Sequence, residues 1–136
     1  MMPRICALAG LLFSFALFTS VAQAEDSAVA NAKARVEAAR KVYEGRWARL
    51  PVDLNWRFDI DKDYQWSRRW LEAEREVSDK KADQIAAAEG HLDRMKKEEA
   101  YVKDQVSSGV GSPVDLSAAK FYRLEAEHIL AQIRKK

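Results

Sequence analysis

The sequence predicts an all-α protein, in which antiparallel helical hairpins form a small coiled-coil-like bundle of three to four helices after a signal peptide. Helix breakers are scarce, with 5 glycines and 3 prolines in 136 residues. Strong helix formers (Ala, Glu, Lys, Arg and Leu) are abundant. Apolar residues recur at steps of three and four, as on one face of a helix, whereas strand-like alternation is nearly absent.

The first element is a predicted signal peptide, residues 1–24. One basic residue, Arg4, precedes an apolar run from Ile5 to Val21, and Ala22-Gln23-Ala24 then stands before the acidic Glu25. Signal peptidase and the export machinery recognise this order of positive start, apolar stretch and small residues. The run is slightly short for a membrane-spanning helix, which needs about 20 apolar residues. We therefore expect an exported protein, periplasmic or secreted, with no stable membrane span after cleavage.

The predicted mature chain, residues 25–136, reads as a single helical domain without cysteine. The one cysteine, Cys6, lies at the start of the apolar run and is removed with the signal peptide. Small exported domains often rely on disulfides, so the stability of this one must come from helix packing. The formal net charge of the whole chain is only +2, which gives no electrostatic field for attracting nucleic acid. We expect no nucleic-acid partner.

Four helices are predicted, over about residues 27–50, 61–78, 79–107 and 113–134. Pro51 ends the first, because proline lacks the amide hydrogen and clashes with the preceding turn. Ser78 and Asp79 indicate a kink or a new N-cap between the second and third. In the third helix the three-four spacing of apolar residues is interrupted only by Glu99 and is typical of a coiled-coil seam.

A glycine- and serine-rich segment between the third and fourth helices predicts a hairpin turn. Gly109 and Gly111 permit positive φ angles. Ser112 is a capping residue, Pro113 suits the first helical position, and Asp115 places an acid in the first turn. Because the loop is short, the last helix should fold back antiparallel to the third.

Aromatic residues crowd around the first connector and are the candidate interaction surface. They are Trp47, Trp56, Phe58, Tyr64, Trp66 and Trp70. Large aromatic side chains bury much area and anchor protein interfaces. The alternative is that they form the small core where the first two helices meet, since a domain of this size without disulfides needs one.

An acidic segment, Asp59-Ile60-Asp61-Lys62-Asp63, resembles the start of a calcium-binding loop. Such a loop needs glycine at its sixth position and a bidentate glutamate at its twelfth. Those positions are Tyr64 and Trp70. We therefore interpret the segment as an acidic turn that caps the second helix.

Glu125 and His128 have the three-residue spacing by which di-iron bundles supply a carboxylate and an imidazole to one metal. The only other histidine, His91, has Ala88 at the matching position. Such bundles require two complete pairs, so we expect no metal site and no cofactor. No set of residues predicts a nucleophile with its base or a phosphate-binding loop, and we expect no catalytic residues.

The last hairpin, Val102 to Gln132, resembles the repeat of TolC-type outer-membrane efflux factors. The residues that carry the resemblance are Gly109, Ser112, Pro113, Asp115, Leu116, Ala119, Leu124, Ala126 and Glu127. Tyr43 to Glu74 is a degraded match to the same pattern. In that family the repeat builds a periplasmic α-helical barrel joined to a membrane β-barrel. This chain has no amphipathic strands and is shorter than such a subunit, so the resemblance implies a helical hairpin and not a channel.

These observations predict a non-enzymatic exported protein that acts through helix–helix contacts, either with a protein partner or by self-association. Paired amphipathic helices of this length commonly leave an apolar stripe that one short chain does not cover. The resemblance adds an expected association with an envelope export assembly, as an accessory or truncated relative of efflux factors. The alternative is a small periplasmic sensor that binds a ligand or a metal.

Overall fold

The computed structural model describes residues 13–50 and 58–135, with side-chain surroundings from residue 23 onward. Within these ranges the chain forms only helices, which are α1 (Phe13–Arg49), α2 (Ile60–Val77), α3 (Lys81–Ser107) and α4 (Pro113–Lys135). The all-α prediction is thereby confirmed. No helix in the described ranges is both long enough and apolar enough to cross a membrane. Residues 1–12 of the predicted signal peptide, and Trp56, lie outside the described residues.

The first helix begins earlier than predicted, whereas the second begins within one residue of its predicted start. α1 starts at Phe13 and not near Ser27, because no glycine or proline lies between these two residues to interrupt the helix. α2 starts at Ile60, and the carboxylate of Asp59 accepts a hydrogen bond from the backbone N–H of Lys62 at 3.1 Å. The acidic segment therefore caps α2, as predicted.

The chain breaks between α2 and α3 at Ser78, whose backbone is extended (φ −151°, ψ 133°). α3 then begins at Lys81, and its N-cap residue is Lys80, which makes no side-chain capping bond. The hydroxyl of Ser78 instead donates to the carboxylate of Asp83 at 2.6 Å. The predicted interruption is confirmed, and it is a full break with a new helix start.

Consecutive helices run antiparallel, and α2 is central because it packs against each of the other helices. Arg46 near the end of α1 pairs with Asp63 near the start of α2. Likewise, the Nζ of Lys81 at the start of α3 donates to the backbone carbonyl of Arg134 at the end of α4, at 3.0 Å. The predicted antiparallel hairpin of the last two helices is confirmed.

The apolar core consists of two neighbouring clusters. The larger joins α2, α3 and α4 and is made of Leu71, Ala87, Ala88, Leu92, Met95, Ala126, Leu130 and Ile133. The smaller lies toward the last turn and contains Ile60, Val102 and Ala119. Alanine at several of these positions lets the helices approach closely. The seam predicted for α3 is therefore the face that packs against α4.

The turn between α3 and α4 closes by backbone hydrogen bonds typical of a glycine-terminated helix. The N–H of Gly109 donates to the carbonyl of Val106, and that of Val110 to the carbonyl of Gln105, both at 3.0 Å. Gly109 has φ 75°, as this cap requires. Gly111 was expected to allow a positive φ angle, but glycine is needed there for a steric reason. A Cβ at this position would lie 2.8 Å from the backbone nitrogen of Val106.

The start of α4 follows the predicted capping pattern. The hydroxyl of Ser112 accepts a hydrogen bond from the backbone N–H of Val114 at 3.1 Å. Pro113 is the first helical residue and Asp115 lies in the first turn. An acid in this position interacts favourably with the positive end of the helix dipole.

Candidate functional site: a buried polar layer and an exposed apolar stripe

Polar side chains occupy much of the interface between the first three helices. Asp63, Ser67, His91 and Glu98 are each at most 2% exposed. Together with Tyr43, Arg46 and Arg94 they form what we call the polar layer. Buried polar groups are costly unless they are paired, so the partners of each residue decide what the layer can do.

Arg46 and Asp63 form an ion pair that joins α1 to α2. The Arg46 guanidinium also donates to the backbone carbonyl of Asp59 at 3.4 Å. Burial raises the pKa of Asp63, whereas the neighbouring Arg46 opposes that rise. Removal of the arginine would leave a buried carboxylate without its counter-charge, which is far more costly than the loss of an exposed pair.

Glu98 is the most perturbed acid in the layer. Burial, and to a lesser extent the charge of Asp63, raises its pKa to about 8. Neither of its carboxylate oxygens has a hydrogen-bond partner within the described part of the chain. The Tyr43 hydroxyl favours the charged form of Glu98, although its geometry falls short of a hydrogen bond. With a pKa of about 8, Glu98 is mostly protonated at neutral pH, and its neutral form places no charge in the interior.

Ser67 connects α2 to two residues of α3. Its hydroxyl accepts a hydrogen bond from Nε of Arg94 and also contacts Nδ1 of His91, each at 2.7 Å. The direction of the second contact depends on the His91 tautomer, and Ser67 donates to Nδ1 in the tautomer that carries its hydrogen on Nε2. That Nε2 has no partner among the described residues.

Burial lowers the pKa of His91 to about 3, and the charges of Arg94 and Arg68 act in the same direction. Ser67 and His91 thus have the contact that a nucleophile and a neutral base require. Both are 0% exposed, however. A substrate has no route to this pair in the folded structure, so the arrangement suits a structural link between helices better than chemistry.

Aromatic rings line the polar layer, and the predicted aromatic cluster is divided among separate places. Trp47 contacts Phe58 and Tyr101, with ring centroids 5.6 and 5.5 Å apart. Trp70 lies under the guanidinium of Arg94 at 4.0 Å, and its ring is 6.2 Å from that of Tyr43. These rings pack between α1, α2 and α3, which favours the core alternative.

The other two aromatics of the predicted cluster lie apart from this group. The Trp66 ring is half-buried and stacks with the guanidinium of Arg69 at 4.5 Å. Tyr64 stacks on Tyr122 of α4, with centroids 4.0 Å apart and planes 11° from parallel. Trp56 lies outside the described residues, so its place in the cluster stays a prediction.

The stacked tyrosines bind α2 to α4 through their hydroxyls. Tyr64 donates to the carboxylate of Glu125, and Tyr122 to that of Asp61 at 2.6 Å. The bond to Asp61, with burial, raises the pKa of Tyr122 to about 12. Burial and the bond to Glu125 also raise the pKa of Tyr64.

Glu125 and His128, the pair with metal-binding spacing, are not brought together with other ligands. Glu125 accepts the Tyr64 hydroxyl, whereas His128 is exposed and lies 3.4 Å from the amide of Gln132. Within the described ranges, no group of three or more His, Cys, Asp or Glu residues is placed to hold a metal ion.

The second candidate feature is a row of exposed residues along α4. Val114 is 75% exposed, Phe121 61% and Leu124 47%. They lie on the face of α4 opposite Ala119, Ala126 and Ile133, which are buried against the other helices. We call this row, with the exposed Ser117, His128 and Ala131 that complete its spacing, the α4 stripe. Large apolar residues exposed in a row are typical of interaction surfaces.

Sequence reasoning missed the polar layer, although one signal was present. In α2, Asp63 and Ser67 continue the helical spacing of the buried Ile60 and Leu71. In α3 the buried acid is Glu98, whereas Glu99 reaches α4 and pairs with Arg123. α3 has two packed faces, one toward α4 and one toward α2, and the seam pattern described only the first.

The described residues therefore offer a closed polar layer and an open apolar stripe as candidates for function. The first connects helices, and the second is available to another molecule. Comparisons of the chain with protein-family models, curated proteins and solved structures find no match.

Proposed function

We propose that the chain is an exported, non-enzymatic protein that acts through helix–helix contact, with the α4 stripe as its contact surface. The observation that carries the proposal is the exposure of Phe121 and Leu124, at 61% and 47%, on a helix whose opposite face is already buried. Burial of such side chains against a partner contributes about 1.5–3 kcal/mol for each that is fully covered.

The rest of the fold supports this use of α4. The ion pair of Arg123 with Glu99 and the bonds of Tyr64 and Tyr122 fix α4 against α3 and α2. A helix held on one side presents its other side without the cost of ordering its backbone on binding, which improves affinity. The contact surface is therefore preorganised.

Export and a relation to efflux factors belong to the same proposal. The leader at the start of the chain supports export. The glycine-terminated turn followed by the Ser112-Pro113 restart supports a hairpin like those of TolC-type efflux factors, and thus an accessory role beside an envelope export assembly. A sensor that binds a ligand or a metal through the aromatic cluster or through Glu125 and His128 has less support, because Trp47 and Trp70 pack between helices and the Glu125 carboxylate accepts the Tyr64 hydroxyl.

Photo-crosslinking in producing cells tests the proposal. A benzoyl-phenylalanine in place of Phe121 is expected to give a crosslinked species that contains the processed chain beginning at Glu25. The same group in place of the exposed Lys103 on α3 is the control and should give none. If Phe121 and Lys103 crosslink equally, or neither does, the α4 stripe is not a contact surface.

A further inference from the structure

The α4 stripe has the spacing of a coiled-coil seam. Its residues alternate at steps of three and four and are all exposed, namely Val114, Ser117, Phe121, Leu124, His128 and Ala131. This spacing is that of the a and d positions of a heptad, which pack against an equivalent row on a second helix. The chemistry that fits the stripe is therefore another helix with an apolar row of the same length.

The charged residues beside the stripe indicate which helix would pair with it. Lys120 and Glu127 are exposed, lie seven residues apart and flank the same edge of the stripe. About a two-fold axis between Phe121 and Leu124, an antiparallel second copy would place its Glu127 beside Lys120 and its Lys120 beside Glu127. Both contacts unite opposite charges, and they are reciprocal, as in any isologous interface.

The same axis matches the stripe residues by type. Phe121 would face Leu124 of the second copy, Val114 would face Ala131, and Ser117 would face His128. Apolar residues thus meet apolar ones, and the two polar residues meet each other. Antiparallel helices also place opposite ends of their dipoles together.

Parallel pairing of two copies fits less well. It would place His128 against His128 of the second copy. It would also direct Lys120 to Glu125 of that copy, whose carboxylate already accepts the Tyr64 hydroxyl. By contrast, Glu127 is 44% exposed, so its carboxylate remains accessible beside its contact with Arg123.

We propose that two copies of this chain pair antiparallel through the α4 stripe, with reciprocal contacts between Lys120 and Glu127. This inference rests on the proposed function and specifies its partner. The interface is one helix from each copy, so the dimer dissociates on dilution.

A charge exchange tests the pairing on the processed protein, with light scattering used to measure mass over a range of concentrations. The wild type is expected to move from monomer to dimer as concentration rises. Lys120→Glu and Glu127→Lys each create two like-charge contacts and should weaken the dimer roughly tenfold. The double variant, Lys120→Glu with Glu127→Lys, restores opposite charges and should restore the wild-type dimer. Lys103→Glu, on the exposed surface of α3, is the control and should show the same dependence of mass on concentration as the wild type.

Cysteine crosslinking gives the orientation independently, because the predicted mature chain contains no cysteine. An equimolar mixture of Lys120→Cys and Glu127→Cys should form a mixed disulfide faster than either variant forms a disulfide with itself. Rapid self-linkage of Val114→Cys, which in the antiparallel dimer lies at the opposite end of the stripe from Val114 of the second copy, would instead show parallel pairing and overturn the proposal.

A double variant that fails to recover the dimer also overturns it. A wild type that is monomeric at every concentration rejects self-association, yet it leaves the proposed function standing if Phe121 still crosslinks to a different protein in cells. The two failures are therefore distinguishable.

Discussion

At the scale of single residues, Ser67 shows how one hydroxyl can organise two helices. It accepts from Arg94 and is hydrogen-bonded to Nδ1 of His91, so it helps to fix the positions of both the guanidinium and the imidazole. Arg94 in turn lies over Trp70. One small side chain thus holds a cation, an imidazole and an indole ring in a fixed arrangement.

The variant Ser67→Ala should lower the free energy of unfolding by about 2–3 kcal/mol, because it leaves Nε of Arg94 and Nδ1 of His91 without their shared buried partner. Urea unfolding followed by circular dichroism measures the effect. Ser107→Ala, at an exposed position of α3, is the matched control and should change it by less than about 0.5 kcal/mol. Equal effects of the two substitutions would show that the Ser67 contacts contribute nothing to stability.

These residue contacts could be predicted only in part from the sequence. The acidic segment that begins at Asp59 was predictable as a helix cap, because the bond of Asp59 to Lys62 spans only three residues and the chemistry is local. Ser67 and His91 are 24 residues apart, and their contact depends on how α2 and α3 pack. A polar residue at a core position looks like an interruption until its partner is known, and Glu98 was missed for that reason.

At the scale of elements, the ends of the helices and the buried face of α4 can be predicted from the sequence more fully than the role of the exposed face of α4. Helix ends were largely predictable, because Ser112, Pro113 and Gly109 act on their immediate neighbours. Which face of α4 is buried was also predictable, since Ala119, Ala126 and Ile133 share one helical phase. The second apolar row, on the opposite face of α4, is recognised only from the exposed fractions of its side chains in the structure.

Alanine substitutions at two glycines are expected to change the free energy of unfolding in opposite directions. Gly111→Ala should lower the free energy of unfolding by about 1–3 kcal/mol, because its Cβ would lie 2.8 Å from the Val106 nitrogen and force the turn open. Gly45→Ala in α1 meets nothing within 4 Å among the described residues, and alanine is the better helix former. It should therefore raise stability by up to about 1 kcal/mol. Thermal unfolding of both variants gives the sign, and the same sign for both would contradict the turn geometry.

At the scale of the whole molecule, the polar layer makes stability depend on pH from both sides. The folded state lowers the pKa of His91 from 6.5 to about 3. The unfolded chain therefore takes up this proton first, so the contribution of neutral His91 is complete above pH 6.5 and is lost as pH falls toward 3. Glu98 has the opposite sign, since its pKa rises from 4.5 to about 8. Its contribution is complete below pH 4.5 and is lost as pH rises through about 8.

We expect the free energy of unfolding to be greatest in weakly acidic solution and to fall toward pH 3 and toward about pH 8. Burial also raises the pKa values of Asp63 and Glu74, so each contributes stability that is lost as pH rises above its ordinary value of 3.8 or 4.5. Glu98→Gln should reduce that decrease by on the order of a few kcal/mol and leave the acid side in place. Urea unfolding at about pH 3.5, 5.5 and 8.5 measures the profile.

Glu99→Gln is the control for this profile. It changes the neighbouring acid, which pairs with Arg123 on the α4 side, and it should keep the alkaline decrease because Glu98 is intact. If Glu98→Gln and Glu99→Gln have the same pH profile, buried Glu98 is not its source.

The long α1 helix has a consequence for the order of maturation. From Gln23 to Asn31 only Val29 is even partly buried, and the first buried side chain within the described ranges is Ala32. Cleavage after Ala24 would therefore leave every buried side chain of the described ranges in the processed chain. The bundle that the structure describes can therefore fold after its leader has been trimmed, with all of these buried side chains in place.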